Sequence, residues 1–339
     1  MPAMKRPAWL PDNLVLMLLA TVALATLLPV QGRGVAVLDG LAQAAVALLF
    51  FLHGSKLSRR AVWQGLLHWR LHALVFAATF LLFPVLGLLL RPWLEPWVGP
   101  TLYLGVLFIC ALPSTVQSSI AFTSLARGNV AAAMCSASTS NILGMALTPL
   151  LMAAMANWVG ASAGAGAVQL SWHSFEGIVG TLLLPFIAGQ ALQRWTAPWV
   201  AAHKAWVRAS DQGTILLVVY GAFSAATVEG LYRHLPPATL AALLAICALL
   251  LAIVMPLLTV LSRALGFSRE DEIAIVFCGS KKTLASGVPM AQILFAGQAV
   301  GLLVLPLMVY HQLQLIVCSV IAARYANRDD VETREAVRA

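Results

Sequence analysis

The sequence predicts an all-α membrane protein of ten transmembrane helices, arranged as two inverted five-helix repeats. Three observations predict it: an apolar composition, ten apolar segments of spanning length, and a one-sided distribution of basic residues. Of 339 residues, 60% are hydrophobic and only 10% charged, against about 45–50% and about 25% in soluble domains. Water cannot be the solvent for most of such a chain, so the lipid bilayer is its expected partner. In a soluble protein a formal net charge of +8 would point to nucleic acid. Here the basic residues sit in short breaks between apolar runs, where they mark loops retained in the cytoplasm, and no nucleic-acid partner is expected.

A spanning helix needs about 17–25 mostly apolar residues. Segments 13–30, 35–53, 71–90, 101–127, 130–156, 173–193, 211–228, 236–262, 272–297 and 300–323 qualify. The first follows Lys5 and Arg6 and contains Ala23-Leu24-Ala25, features shared with a cleavable signal. Its removal would spoil the five-and-five division, so it reads as an ordinary first helix. After the second segment, Gly54–Trp63 is basic and mildly amphipathic, suited to the membrane interface. The remaining segments follow one another through short polar connections, and residues 325–339 form a polar tail expected to be loose.

Placing the N-terminus in the cytoplasm puts sixteen of the 21 Lys and Arg on that side. Three (Arg33, Arg91, Arg233) fall opposite, and two (Lys281, Lys282) lie inside a span. So uneven a split predicts both termini cytoplasmic in an inner, plasma membrane.

Ten spans divide into residues 1–157 and 171–324, joined by a Gly/Ala-rich linker at 158–170. An odd number of spans per half inserts the second half upside down, a hallmark of secondary transporters. An offset of 168 residues lays Phe108–Ser118 over Val276–Ser286, pairing Cys110 with Cys278, Thr115 with Thr283 and Ser118 with Ser286. In both halves the fourth segment carries helix breakers beside polar side chains. Segment four reads Pro113-Ser114-Thr115-Val116-Gln117-Ser118-Ser119. Segment nine reads Gly279-Ser280-Lys281-Lys282-Thr283 and then Ser286-Gly287-Val288-Pro289. Backbone groups freed at bilayer depth need protein or water partners, and paired interruptions of this kind point to a transporter binding site. The plainer alternative is two proline-kinked packing helices with Ser and Thr bonded to their own backbones.

Lys281 and Lys282 lie about 15 Å into segment nine if it is helical, and they point about 100° apart. A mid-bilayer lysine costs about 2.5–3.5 kcal/mol on insertion scales. The acids Asp39, Glu95, Glu176, Glu229, Glu270, Asp271 and Glu272 all lie near segment ends. The pair therefore reads as a cationic site for an anionic substrate, or as a fixed charge replacing a bound cation. The alternative is a shorter span whose end the lysines mark. Segment five carries Ser136, Ser138, Thr139, Ser140 and Asn141, with Ser138 and Asn141 on one face. They line a cavity or serve close packing. Segment ten carries His311, Gln312 and Gln314, where hydrogen bonding within the bundle is favoured over a proton relay. The five cysteines all sit in apolar runs without metal-ligand spacing and read as small apolar residues. No cofactor is expected beyond a coupling ion.

Phe51–Ser58, Leu112–Ser119 with Ala126-Arg127-Gly128-Asn129, and Gly279–Pro289 together resemble the bile acid:sodium symporter superfamily. The resemblance is to the branch of bacterial relatives of its seventh human member, and it covers nearly the whole chain. It implies a panel domain and a core domain, with the fourth and ninth helices unwound and crossing near mid-membrane. Substrate would bind at the crossover and move by alternating access. It also implies sodium held by the fourth and fifth helices, at positions matching Ser118, Ser119 and Asn141, with an acid and a glutamine on the ninth. Segment nine departs from that pattern, because it has no Glu or Gln between Glu272 at its start and Gln292 and has Lys281 and Lys282 instead. An ammonium repels a hard cation that wants oxygen ligands, so a lysine is expected to stand in for the cation. Coupling would then be absent or driven by protons.

The candidate binding residues are Ser114, Thr115, Gln117, Ser118, Ser119, Ser138, Asn141, Ser280, Lys281, Lys282, Thr283 and Ser286. The leading function is secondary transport of a small organic anion. A non-transporting membrane regulator of ion homeostasis would keep the same fold. A membrane enzyme would need a Ser–Lys nucleophile, Ser280 with Lys281 or Ser286 with Lys282. The chain has neither G-x-S-x-G nor H-E-x-x-H, and it is expected not to be an enzyme.

Overall fold

The computed structural model of the chain describes residues 13–56, 68–160, 180–181, 184–228, 230, 236–296 and 298–338. These residues form thirteen helices and, among them, no strand. In chain order the helices are α1 (Asn13–Leu27), α2 (Arg33–Lys56), α3 (Trp69–Leu89), α4 (Arg91–Ala111), α5 (Gln117–Leu125), α6 (Val130–Gly160), α7 (Leu184–Ala191), α8 (Gln193–Ala202), α9 (Lys204–Val228), α10 (Pro237–Ala264), α11 (Arg269–Ser280), α12 (Leu284–Leu294) and α13 (Val300–Arg338). Seven of these, α2, α3, α4, α6, α9, α10 and α13, are each long and apolar enough to cross a membrane. The linker at 161–167, the start of segment six and the basic stretch beyond Lys56 lie outside the described residues.

The outer surface is apolar where a soluble bundle would be charged. Leu19, Leu81, Leu150, Val260 and Ile316 all point outward. Trp69, Trp93, Trp97, Trp158, Trp195 and Trp199 are exposed near helix ends, as amphipathic rings at a membrane–water boundary are. At the centre lies α11. Every residue from Glu272 to Ser280 is buried, because α3, α5, α6 and α10 pack around it. A helix apolar on all sides belongs in such a position.

Glycine permits one close contact. A Cβ at Gly54 of α2 would overlap the Phe186 carbonyl, and one at Gly189 of α7 would overlap the Phe51 carbonyl. The two helices thus meet backbone to backbone. Two features differ from the expectations above. The polar tail continues α13 to Arg338, since nothing after Pro306 breaks a helix: the chain has no further Gly or Pro. Residues 193–202, expected as a connection, form the separate helix α8, whose exposed Trp195 and Trp199 fit the boundary.

Candidate functional site

Two interrupted helices meet at the centre of the molecule. The first interruption separates α4 from α5 at Leu112–Val116, and the second separates α11 from α12 at Lys281–Thr283. They touch directly: the Thr283 N–H donates to the Pro113 carbonyl at 3.0 Å. Both breaks follow from local chemistry. Pro113 has no N–H, so the Ile109 carbonyl takes the Leu112 N–H instead, at 3.2 Å. Lys281 and Thr283 are extended, and the Lys282 N–H and carbonyl between them turn to another helix.

Each carbonyl from 110 to 114 has a donor from elsewhere in the fold. Cys110 O and Leu112 O accept from Lys282 Nζ at 3.1 and 2.8 Å. Ala111 O accepts from Thr148 Oγ1 at 2.8 Å. Pro113 O takes Thr283, and Ser114 O accepts from Asn141 Nδ2 at 2.7 Å. The Ser114 N–H, which a continuous helix would send to Cys110, donates to Ser140 Oγ at 3.1 Å. One face of α6 therefore serves this break. Gly144 lies on that face because a Cβ there would stand 2.5 Å from Pro113 Cγ. The second break is served by α13. Gln314 Oε1 accepts the Lys282 N–H at 2.8 Å, Gln314 Nε2 donates to Lys282 O at 2.9 Å, and Tyr310 OH donates to Ser280 O at 2.7 Å. This is the satisfaction that buried backbone demands.

Both lysines are fully buried. Lys282 Nζ donates to three carbonyls, those of Cys110 and Leu112 and that of Thr79 at 2.9 Å, and sits 4.1 Å from the Phe83 ring centroid. An ammonium has three protons, so none is left over. The Thr79 carbonyl is free because Ala78–Leu82 is a π-turn, in which the Phe83 N–H reaches back to Ala78 O. Lys281 Nζ donates to Ser118 O at 2.8 Å and lies over the Phe122 ring at 3.8 Å. Ser280 Oγ donates to Val276 O at 2.6 Å, and Ser286 Oγ to Asn141 Oδ1 at 3.3 Å.

The four hydroxyls of the first break form one cluster. Thr115 Oγ1 lies 2.6 Å from Ser118 Oγ and 3.0 Å from Ser119 Oγ, Ser114 Oγ lies 3.4 Å from Ser119 Oγ, and Ser119 donates to Phe277 O. On the other side of the crossover lies a cavity of about 1010 Å³. Of the sequence candidates, Gln117, Ser138, Asn141 and Ser286 line it. Lys281 and Lys282 do not; they stand behind the wall. Sequence reasoning missed His53, Lys56, Lys204, Arg208 and Asp211, which also line the cavity. Asp211 begins the seventh apolar segment and reads there as a mere boundary residue. Thr79, Thr148 and Tyr310 were also missed, since a single hydroxyl in an apolar run carries no periodic signal.

The SBF-like CPA transporter family model matches residues 12–327. An uncharacterised Pseudomonas aeruginosa protein is 57% identical over 327 residues, 96% of each chain. An Escherichia coli protein that carries the provisional name symporter YfeH is 47% identical over 319 residues, 94% of each. The zebrafish (Danio rerio) sodium/bile acid cotransporter 7 is 28% identical over 281 residues, 82% of this chain and 81% of that one. With its model matched over nearly the full length and the broken helices in contact at the core, the chain belongs to the SBF-like CPA transporter family, relatives of the bile acid:sodium symporters.

Proposed function

We propose that this protein is a secondary transporter that moves a small organic anion by alternating access, without sodium. The observation that carries the reading is the cavity beside the crossover. Its size suits a small organic ligand. Its lining is polar at Gln117, Ser138, Asn141 and Ser286, apolar at Phe50, Ile120, Met145 and Phe186, and cationic at Lys56, Lys204 and Arg208. The basic-residue count puts those three cations on the cytoplasmic side, so the cavity opens inward in this conformation. Sodium does not fit the crossover. The oxygens there already hold ammonium donors, at Ser118 O from Lys281 and at Leu112 O and Cys110 O from Lys282. A lysine thus takes the place of a coupling cation.

The ten-span inverted repeat is supported by the offset that lays Pro113 over Lys281. Shifted by it, the start of α3 at Trp69 falls on Pro237, where α10 starts. The start of α5 at Gln117 falls on Ala285, beside the start of α12 at Leu284, and Val130 of α6 falls on Gln298, close to the start of α13. Counterflow in proteoliposomes tests the function. Vesicles preloaded with unlabelled taurocholate or other organic anions should take up the labelled anion equally in sodium and in choline. Uptake that requires sodium would overturn the sodium-free mechanism. No counterflow with any anion of a broad panel would overturn the transport reading.

A further inference from the structure

Asp211 is the only carboxylate lining the cavity among the described residues. It is 7% exposed. Its Oδ2 lies 2.7 Å from Lys56 Nζ, while its Oδ1 is buried with no hydrogen-bond partner among the described residues. The pair is asymmetric: the Asp211 side chain is 10% exposed and that of Lys56 is 32% exposed. The acid is fixed and the ammonium, on a flexible stem, is reachable from the cavity. One turn before Lys56, His53 Nδ1 lies 2.8 Å from Leu49 O. A carbonyl only accepts, so the His53 Nδ1 carries a proton.

We propose that Asp211 is the proton-coupling site of this transporter and that Lys56 is the switch that sets its charge. This rests on the transport reading above. While Lys56 pairs with Asp211, the carboxylate keeps its charge. An arriving organic anion competes for the Lys56 ammonium. The Asp211 left behind has lost its counter-ion, and its unpartnered Oδ1 takes a proton from cavity water. Lys56 remains an ammonium, the anion adds one negative charge and the proton one positive, so the site keeps its net charge through the cycle. On the far side the anion leaves, Lys56 returns, and the proton passes to water. The groups around Asp211 suit this exchange. From α2 come His53 and Lys56, and on α9 itself Lys204 and Arg208. Among the described residues, the parts of α5, α6, α7, α8 and α12 that line the cavity bring only uncharged residues, and no titratable residue of α1 or α13 lines it. With one proton taken up per anion bound, linkage makes anion affinity rise up to about tenfold for each pH unit of acidification.

The test reads the carboxyl without substrate, by infrared spectroscopy of the full-length purified protein across pH 5–8. Lys56→Cys removes the counter-ion. It should show a protonated-carboxyl C=O band near neutral pH that wild type lacks and that Lys56→Cys/Asp211→Asn loses. Restoring a positive charge with methanethiosulfonate ethylammonium should remove the band, and neutral methyl methanethiosulfonate should leave it. Lys56→Met should behave as untreated Lys56→Cys. A spectrum without the band in both variants, or a band indifferent to the added ammonium, overturns the proposal. In proteoliposomes, Asp211→Asn should keep taurocholate counterflow and lose accumulation driven by an inward proton gradient. Undiminished accumulation by Asp211→Asn overturns it as well. Counterflow by wild type decides the transport reading, while the spectrum is read with no anion present, so the two fail separately.

Discussion

Replacing Lys282 by methionine keeps the length of the stem and deletes the ammonium that bridges α3, α4 and α11. Three buried carbonyls, those of Thr79, Cys110 and Leu112, then lose their donors. Each unsatisfied group costs about 1–3 kcal/mol, or on the order of 3–9 kcal/mol together. Relief of burying the ammonium returns several kcal/mol. A net loss of about 3 kcal/mol follows, and at about 2–4 °C per kcal/mol for a chain of this size class the midpoint should fall by roughly 6–12 °C. The same deletion leaves an oxygen cage with no cation. Sodium should therefore stabilise Lys282→Met relative to choline at equal ionic strength, and should leave wild type unmoved. The assay is thermal unfolding of detergent-purified protein in the two salts. A Lys282→Met midpoint within about 2 °C of wild type would show that the ammonium does not satisfy these carbonyls. Sodium stabilisation of wild type would refute the claim that its cation place is already filled.

The Tyr310 hydroxyl holds the free carbonyl of Ser280, so Tyr310→Phe should cost about 1–3 kcal/mol, measured as a lowered unfolding midpoint. Asn141 joins the first break to the start of α12, through Ser114 O and Ser286 Oγ, and lines the cavity. Asn141→Ala should therefore reduce both stability and counterflow, whereas Ser138→Ala, on the same cavity wall, should change counterflow with a smaller loss of stability. Gly189→Leu should separate α7 from α2, where a Cβ already overlaps the Phe51 carbonyl. Its signature is a loss of folded protein on size-exclusion chromatography that Gly180→Leu, in open space, does not share.

Much of this arrangement is legible in the sequence. Composition and loop charge pointed to a membrane bundle. Proline beside polar residues in segment four, and Gly-Ser-Lys-Lys in segment nine, marked the two interruptions. Breaks announce themselves because proline, glycine and buried charge are costly wherever they are not used. What the sequence did not disclose is which partner each freed group finds. Thr148, Tyr310 and Thr79 are ordinary residues of apolar helices, and only the fold brings them to Ala111, Ser280 and Lys282. The lysines themselves divided their two readings in the same way. Mid-bilayer cost identified them as special, but whether their ammoniums face a substrate or the backbone is a property of the packing. Asp211 escaped notice because it starts an apolar segment, where acids are unremarkable. Its burial comes from α2, whose Lys56 meets it 155 positions away in sequence.

The contrast between the two kinds of lysine gives the site its logic. A charge that serves coupling must have two states that differ in partner, since an effector shifts an equilibrium only by binding its states unequally. Lys282 has no such second state within reach. All three of its protons are engaged, its aromatic neighbour covers it, and withdrawing it strands three carbonyls. Lys281 is similarly enclosed between Ser118 O and the rings of Phe122 and Phe277. Fixed cations of this kind hold the crossover closed whether or not an ion gradient exists. Lys56 is the opposite case. Among the described residues it has one ion-pair partner, its side chain reaches the cavity, and the group it leaves behind has an open oxygen. If the crossover lysines render sodium unnecessary, the energetic link between solute and gradient has to lie where charge can still be exchanged, and in the described part of the cavity that place is the Lys56–Asp211 pair.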